Sequence, residues 1–549
     1  MLLGFTKNII KAVFAGALIA GILLTAEFIF SLAYPSYRPA WDHRELGAAF
    51  VVGILIATTH HHKTALFLGA SLILLQSSAF LYFSYFGAFY SPSDIYLLFS
   101  EYEDALESAL GALNKMLPAL TTSAAMLALL VALHKKLWPT FPKSRISTTL
   151  AALTLIAPAI DANLQDDSQK FEPDSASLGI KNALYAHAFV LGHDLPRRLV
   201  GEAKAHTYKP YKAERLPEQH EHHVVLVIGE SLTFAHMGAF GYERDTTPHL
   251  SAWMRNGQAM IMPSISAAVS TRVSIPMLMN IQYEPDNLGH ISLRETPLFK
   301  LAKKNGYQTA FISTQKMDGI SSALSGSDID YWIEQRDMGK YPGQYDERLI
   351  HALKNTPIDW SKPSFIVLNQ RAAHSPYSKN YPDSWRLFSR QTAASLHEQT
   401  VNEYDDAVRF VDQNLAEIIT TLHGTATNLP ILLIMTADHG EKLGENGTWG
   451  HNTLDFPTAR VPFIFYPIHE ASSDIIDKVK KLPCPLTHYE ISKLMASFLG
   501  YHIENPNEQP GIYFINGTDI MGRAGFKPYS KAEAIEPQTC QRLGWTQGE

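Results

Sequence analysis

The sequence predicts an α-helical transmembrane domain followed by an α/β domain whose mainly parallel central sheet is sandwiched by helices. Long apolar runs crowd the first third of the 549 residues, although only 46% of the whole chain is hydrophobic. From about residue 221 the pattern changes to short aliphatic runs alternating with helix-like stretches, as strands joined by crossover helices do. Carboxylates and histidines then stand directly behind several of those runs. In open α/β sheets that is where reactive groups gather.

The length calls for at least two domains. A formal net charge of -7, with no long basic run, excludes a nucleic-acid binder. Two cysteines, Cys484 and Cys540, are too few for a zinc finger or a disulfide framework, and leave one disulfide or two free thiols open.

The first apolar run covers residues 8–34 and is broken only by Lys11 and Glu27. It exceeds the roughly 20 residues that a bilayer crossing needs. A cleaved signal peptide is the competing reading, and the further runs at 46–59, 64–90, 117–133 and 146–162 argue against it. Five spans are expected, the second and fifth being marginal and open to a re-entrant or interfacial reading. With Lys7 and Lys11 in the cytoplasm, the basic loops 60–63 and 135–145 are cytoplasmic too, which satisfies the positive-inside rule. Five crossings put everything after Asp161 outside the cytoplasm. The run His60, His61, His62 reads as a membrane-edge turn in preference to a metal site. Residues 91–115 open with cap chemistry at Ser93 and have apolar residues at helical spacing, so an amphipathic surface helix competes with a plain solvated one.

The predicted division is a transmembrane domain of about five helices at 1–163, a linker with bridging helices at 164–220, and a third part at 221–549. Strands are expected at 224–228, 307–313, 364–369, 430–436 and 461–466, with helices at 294–305, 390–423 and 487–499.

Glu230 ends the first of these strands. Taken alone it reads equally as a ligand or as a helix start. Ser270, Thr271 and Ser274 occupy a small-residue stretch before Pro276, where any single hydroxyl is more simply a cap. Asp438 and His439 follow the strand at 430–436 directly, His451 comes shortly after, and His374 lies a few residues beyond the strand at 364–369. In a parallel sheet these converge on one rim, which outweighs the separate bland readings. Two carboxylates, an imidazole and an oxygen nucleophile suit zinc, whereas magnesium prefers all-oxygen shells. A threonine hydroxyl activated in such a site attacks phosphorus or sulfur.

The Gly-Glu-Ser at Glu230, the Thr-x-x-Ser-Ile-Pro from Thr271 to Pro276 and the Asp-His-Gly-Glu from Asp438 to Glu441, behind membrane spans, resemble the phosphoethanolamine transferase family of the alkaline-phosphatase/sulfatase-like superfamily. The resemblance is firmest over 222–467. It implies that Glu230, Asp438, His439 and Thr271 hold Zn2+, as one ion or as one of two. Thr271 would be the nucleophile that carries phosphoethanolamine as a phosphothreonine-type intermediate. His374 and His451 would contact the transferred phosphoryl group or a second ion. The implied donor is phosphatidylethanolamine. The implied acceptor is lipid A, lipopolysaccharide core or a similar envelope glycan, and the implied setting is a monomer in the inner membrane with a periplasmic catalytic domain. Tyr242 lies in another shared stretch and is given no chemical role.

Two departures bear on the acceptor and donor. Many lipid A-modifying members carry several disulfides and this chain can form at most one, which favours core sugars or glucans. Residues 100–104 match the family's donor-side stretch only loosely. Three rival functions compete. A sulfatase needs Cys/Ser-x-Pro-x-Arg, but Ser274-Ile-Pro-Met is followed by Leu278, and Arg272 lies on the wrong side. A glycerol-phosphate transferase using phosphatidylglycerol would share the membrane spans and the threonine chemistry. A non-catalytic envelope scaffold would have no need of the full set of ligand-type residues.

Overall fold

The computed structural model describes residues 2–543 except 35–36, 88, 93, 96–97, 99–105, 107–108, 112, 165–170, 172, 175, 197–207, 218–220, 286, 288–289, 292–293, 318–322, 325 and 519–524. The chain forms two compact units, Met1–Lys204 with Gly444–Trp449, and Ala205–Leu443 with Gly450–Glu549.

The first unit contains helices α1 (Leu2–Ala33), α2 (His43–Ala57), α3 (His62–Phe86), α4 (Leu113–Lys136), α5 (Arg145–Leu164) and α6 (Gly179–Phe189). All five apolar runs are helical. Four are long and apolar enough to cross a membrane: Thr6–Ala33, His62–Phe86, Leu113–Lys136 and Arg145–Leu164. The second is the shortfall. The 15 residues of α2 rise only about 22 Å, against about 30 Å of hydrocarbon. Glycines let α1 and α2 touch through their backbones: a Cβ on Gly53 would stand 2.6 Å from the Gly16 carbonyl oxygen.

Glu27, fully buried on α1, has its carboxylate satisfied inside the bundle. Tyr37 Oη and Gln76 Nε2 each donate to it at 2.6 Å. The backbone amides of Gly179 and Ile180 donate at 3.2 and 3.0 Å, so Glu27 caps the start of α6. The histidine run leads from the turn after α2 into the first residue of α3, with His62 stacked on His134, and among the described residues no metal-holding group forms there. Most of the amphipathic stretch expected within 91–115 lies outside the described residues.

The second unit is built on an eight-stranded sheet. Its strands are β1 (His223–Gly229), β2 (Met260–Ile265), β3 (Gln308–Ser313), β4 (Tyr331–Ile333), β5 (Ser364–Asn369), β6 (Ile431–Ala437), β7 (Arg460–Ile468) and β8 (Leu486–Thr487), in the order β8-β2-β7-β6-β1-β5-β3-β4. Only β7 runs against the others. Every residue of β1 and β6 is buried, as strands covered on both faces must be.

Side chains alternate between two cores. Val225, Val227, Leu433 and Met435 face α9 (Glu347–Asn355) and α10 (Leu396–His423), meeting Leu349, Tyr404 and Val408. Val224, Leu226, Leu432 and Ile434 face α7 (Thr271–Asn280), α8 (Leu298–Lys304) and α11 (His488–Phe498), meeting Leu278, Phe299 and Met495. Burying a side chain such as Leu226 contributes about 2 kcal/mol. Cys484 and Cys540 are joined in a disulfide, which decides between the bonded and free states that the sequence leaves open.

Candidate active site

The sheet register brings the chemistry together. β1 and β6 pair in parallel with Gly229 opposite Ala437, so Glu230 and Asp438 leave the sheet side by side. The Asp438 amide donates to the Gly229 carbonyl at 2.9 Å. On the other flank of β1, Ile228 pairs with Asn369 of β5, and the loop behind β5 carries His374. Thr271 arrives at the first turn of α7, whose N-cap is Ser270.

Thr271 Oγ1 donates to Asp438 Oδ2 at 2.7 Å and stands 3.4 Å from Glu230 Oε2 and 3.3 Å from His439 Nε2. His439 Nε2 is 3.4 Å from Asp438 Oδ2 and 3.7 Å from Glu230 Oε1. Glu230, Asp438 and His439 are buried and Thr271 is half-buried. Burial alone would lower the His439 imidazole, but the carboxylates of Asp438 and Glu230 outweigh it and hold it above its ordinary value. Two carboxylates meeting in a dry site repel each other, and a positive charge between them offsets that cost.

The donor set fits a divalent metal ion. Glu230, Asp438 and His439 each offer a ligand atom within 4.8 Å of the others. His439 Nδ1 lies 3.0 Å from the Gly440 carbonyl, which takes that ring N–H, so Nε2 faces the carboxylates and would give up its own proton to bind an ion there.

A second group of side chains adjoins the first through His439. Glu441 and His451 complete it, with ligand atoms again within 4.8 Å. Tyr377 Oη donates to Glu441 Oε1 at 2.6 Å, and His451 Nδ1 meets Glu441 Oε2 at 2.8 Å. The His451 ring lies 4.2 Å from that of His439. Burial, reinforced by His439, pushes His451 down to about 3. Burial and Arg371 do the same to His374, which also feels the charges of Glu230 and His451. His374 Nδ1 is buried with no hydrogen-bond partner.

Residues 222–483 match the family described as Sulfatase. This stretch is a sulfatase-family domain. Two proteins to which the chain is similar are the Kdo(2)-lipid A phosphoethanolamine 7''-transferase of Salmonella typhimurium and phosphoethanolamine transferase EptA of Helicobacter pylori. The first is 25% identical over 343 residues, covering 59% of this chain and 58% of that protein. The second is 26% identical over 261 residues, covering 46% of this chain and 48% of that one. The chain therefore spans about half the length of these curated relatives. Among solved structures, the integral membrane EptA of Neisseria meningitidis shares the fold, with a TM-score of 0.54 over 90% of this chain and 96% of its own, at 17% identity. The expected family and fold class are borne out.

Several residues given no role from the sequence alone also shape this site. Ser231, at a positive φ of 51°, donates its amide to Asp438 Oδ1 at 2.9 Å and its hydroxyl to Glu230 Oε1 at 2.8 Å. Gln315 Nε2 donates to Glu230 Oε2 at 2.9 Å and to the Gln370 carbonyl at 2.6 Å. Gln315 follows β3, two strands from β1, so only the folded sheet reveals its partner. Ser274, one candidate hydroxyl, donates instead to the Asp438 carbonyl. Tyr242 donates to Asp405 at 2.9 Å, beside His236 and Arg244, a bracing role in line with its lack of assigned chemistry. Glu441 lies in a motif whose acidic residue is visible, but its tie to Tyr377 is not.

Proposed function

We propose that this protein moves phosphoethanolamine from phosphatidylethanolamine to an envelope glycolipid or glycan through a phosphorylated Thr271. The observation that carries this reading is the Thr271 hydroxyl, 2.7 Å from Asp438 and within 3.4 Å of Glu230 and His439. The names of the relatives support the choice of headgroup.

Glu230, Asp438, His439 and Thr271 would hold zinc, which suits mixed carboxylate and imidazole donors better than magnesium does. Zinc bound there lowers the cost of ionising the hydroxyl and offsets phosphoryl charge.

The chain's own residues do the rest. Asp438 Oδ2 holds the Thr271 proton in line for removal. The freed oxygen attacks phosphorus, the bond from phosphorus to the diacylglycerol oxygen breaks, and that oxygen takes up a proton as diacylglycerol leaves. The neutral imidazole of His374 hydrogen-bonds a phosphoryl oxygen, while His451, whose Nδ1 hydrogen goes to Glu441, keeps a bare Nε2 that would ligate a second ion. An acceptor hydroxyl or phosphate then displaces Thr271 from phosphorus. A membrane anchor would keep the catalytic domain on the bilayer that holds the lipid donor, so that encounter costs little entropy. An N-terminus in the cytoplasm and a catalytic domain in the periplasm of an inner membrane need an odd number of crossings. With four helices of crossing length among the described residues, α2 serves as the fifth.

The test is diacylglycerol release from headgroup-labelled phosphatidylethanolamine by the full-length protein, compared with Thr271→Ala. Release by the native protein alone is expected, and release that survives the substitution contradicts the nucleophile. Turnover of phosphatidylglycerol in its place identifies a glycerol-phosphate transferase. A sulfatase role is disfavoured because the Ser274 hydroxyl is buried and spent on the Asp438 carbonyl.

A further inference from the structure

A fully buried imidazole joins the two chain segments that meet at the site. Strand β8 pairs in parallel with β2, Leu486 opposite Ser264 and Thr487 opposite Ile265, so His488 emerges level with the turn behind β2. A capping box fixes its backbone: Glu490 accepts the Thr487 amide at 2.9 Å while Thr487 Oγ1 accepts the Glu490 amide. His488 Nδ1 accepts the Ala267 amide at 3.2 Å, on the segment that runs into Thr271. On its other side, Nε2 lies 2.9 Å from the carbonyl of Ala437, the residue before Asp438. An amide only donates and a carbonyl only accepts, so Nδ1 is bare and Nε2 carries the hydrogen. Ser274 Oγ sits 3.2 Å from Nδ1 and spends its own hydrogen on the Asp438 carbonyl, which adds a second tie across the same gap. From the far side Asn516 clasps the segment, donating its amide to the Ala267 carbonyl at 2.8 Å and accepting the Val269 amide at 3.1 Å.

We propose that His488, as a neutral imidazole protonated on Nε2, is a positioning residue that sets the Thr271 hydroxyl against Asp438. It touches neither hydroxyl nor carboxylate. It fixes the distance between the backbone that carries one and the strand end that carries the other. The proposal rests on Thr271 being the reacting group of the proposed transferase. A displacement of about 1 Å at a reacting atom costs on the order of 100-fold in rate, while Glu230, Asp438 and His439 stay together on β1 and β6.

The full-length protein in detergent decides this. Nitrogen-15 NMR of histidine-labelled protein should show His488 protonated on Nε2 and bare on Nδ1 at neutral pH. In His488→Phe neither bond exists, and in His488→Asn the amide oxygen replaces Nδ1 as acceptor for Ala267. The expected result is a kcat for diacylglycerol release that falls about 100-fold in His488→Phe and about tenfold in His488→Asn, with KM unchanged and zinc affinity by chelator competition reduced no further than in Thr271→Ala. Crystal structures of the variants should show Thr271 Oγ1 drawn away from Asp438. An Nδ1-protonated or doubly protonated ring, an unchanged kcat, or zinc affinity falling below that of Thr271→Ala overturns the proposal. If His488→Phe does not fold, His488→Asn and the wild-type tautomer still decide. If the wild-type protein turns over no phosphatidylethanolamine, the proposed function fails, while the tautomer and the variant structures still judge His488.

Discussion

Thr271 Oγ1 and Asp438 Oδ2 lie 2.7 Å apart across 167 positions of sequence. The contact exists because β1 and β6 end level with each other and α7 begins beside them. It gives the site a hydroxyl already bonded to the base that would take its proton.

Metal dependence follows from the buried carboxylate pair. Chelator-treated protein should lose activity and regain it with zinc. Glu230→Gln and Asp438→Asn should each weaken zinc binding by about 100-fold or more, since each would remove a charged ligand of the proposed set. Competition with a fluorescent chelator measures this. Unaltered affinity in both variants would mean that the ion sits elsewhere.

The pair Glu441 and His451 depends on Tyr377, whose hydroxyl holds the carboxylate at 2.6 Å. Tyr377→Phe should reduce turnover by about tenfold without changing zinc affinity at Glu230, Asp438 and His439, in the range seen for outer-shell hydrogen bonds. Steady-state kinetics beside the chelator titration separates the two quantities.

His223, at the start of β1, is pushed down to about 4 from an ordinary 6.5 by burial, with His222 adding to it. Between those values the unfolded chain binds a proton that the folded chain refuses. Stability from this group is therefore complete above about pH 6.5 and declines as pH falls toward 4, by on the order of 2 kcal/mol. His223→Gln should flatten that part of the curve in urea unfolding of the full-length protein at a series of pH values.

The topology turns on α2. If α2 crosses, single cysteines placed near residue 40 and near residue 60 should label from opposite sides of the membrane with an impermeant thiol reagent, in a background where Cys484 and Cys540 remain paired. Labelling from one side would leave four crossings and return the domain to the side of the N-terminus.

The central strands were legible because burial on both faces demands unbroken aliphatic runs, and 224–228, 364–369 and 430–436 all carry them. Glu230, Asp438 and His439 could be read for the same reason, as residues that end such runs. β2 escaped because Pro263 interrupts it; the structure sets Pro263 opposite Pro462 in an antiparallel register. The reversed direction of β7 leaves no local trace, since an aliphatic strand looks alike either way. Gln315 and His488 were invisible as site residues for a related reason. Their partners are backbone and carboxylate groups brought near only by strand order, and neither stands at the end of an aliphatic run beside Glu230 or Asp438. The length of the second run was less legible: hydropathy marks it, but the helix it forms stops at 15 residues.

The most direct measurement is mass spectrometry of the full-length protein quenched during turnover of phosphatidylethanolamine without acceptor. Phosphoethanolamine should appear on Thr271 and on no other residue, and Thr271→Ala should carry none while releasing diacylglycerol at least about 1,000-fold more slowly. An adduct on another side chain, or turnover by Thr271→Ala at the native rate, would contradict the account.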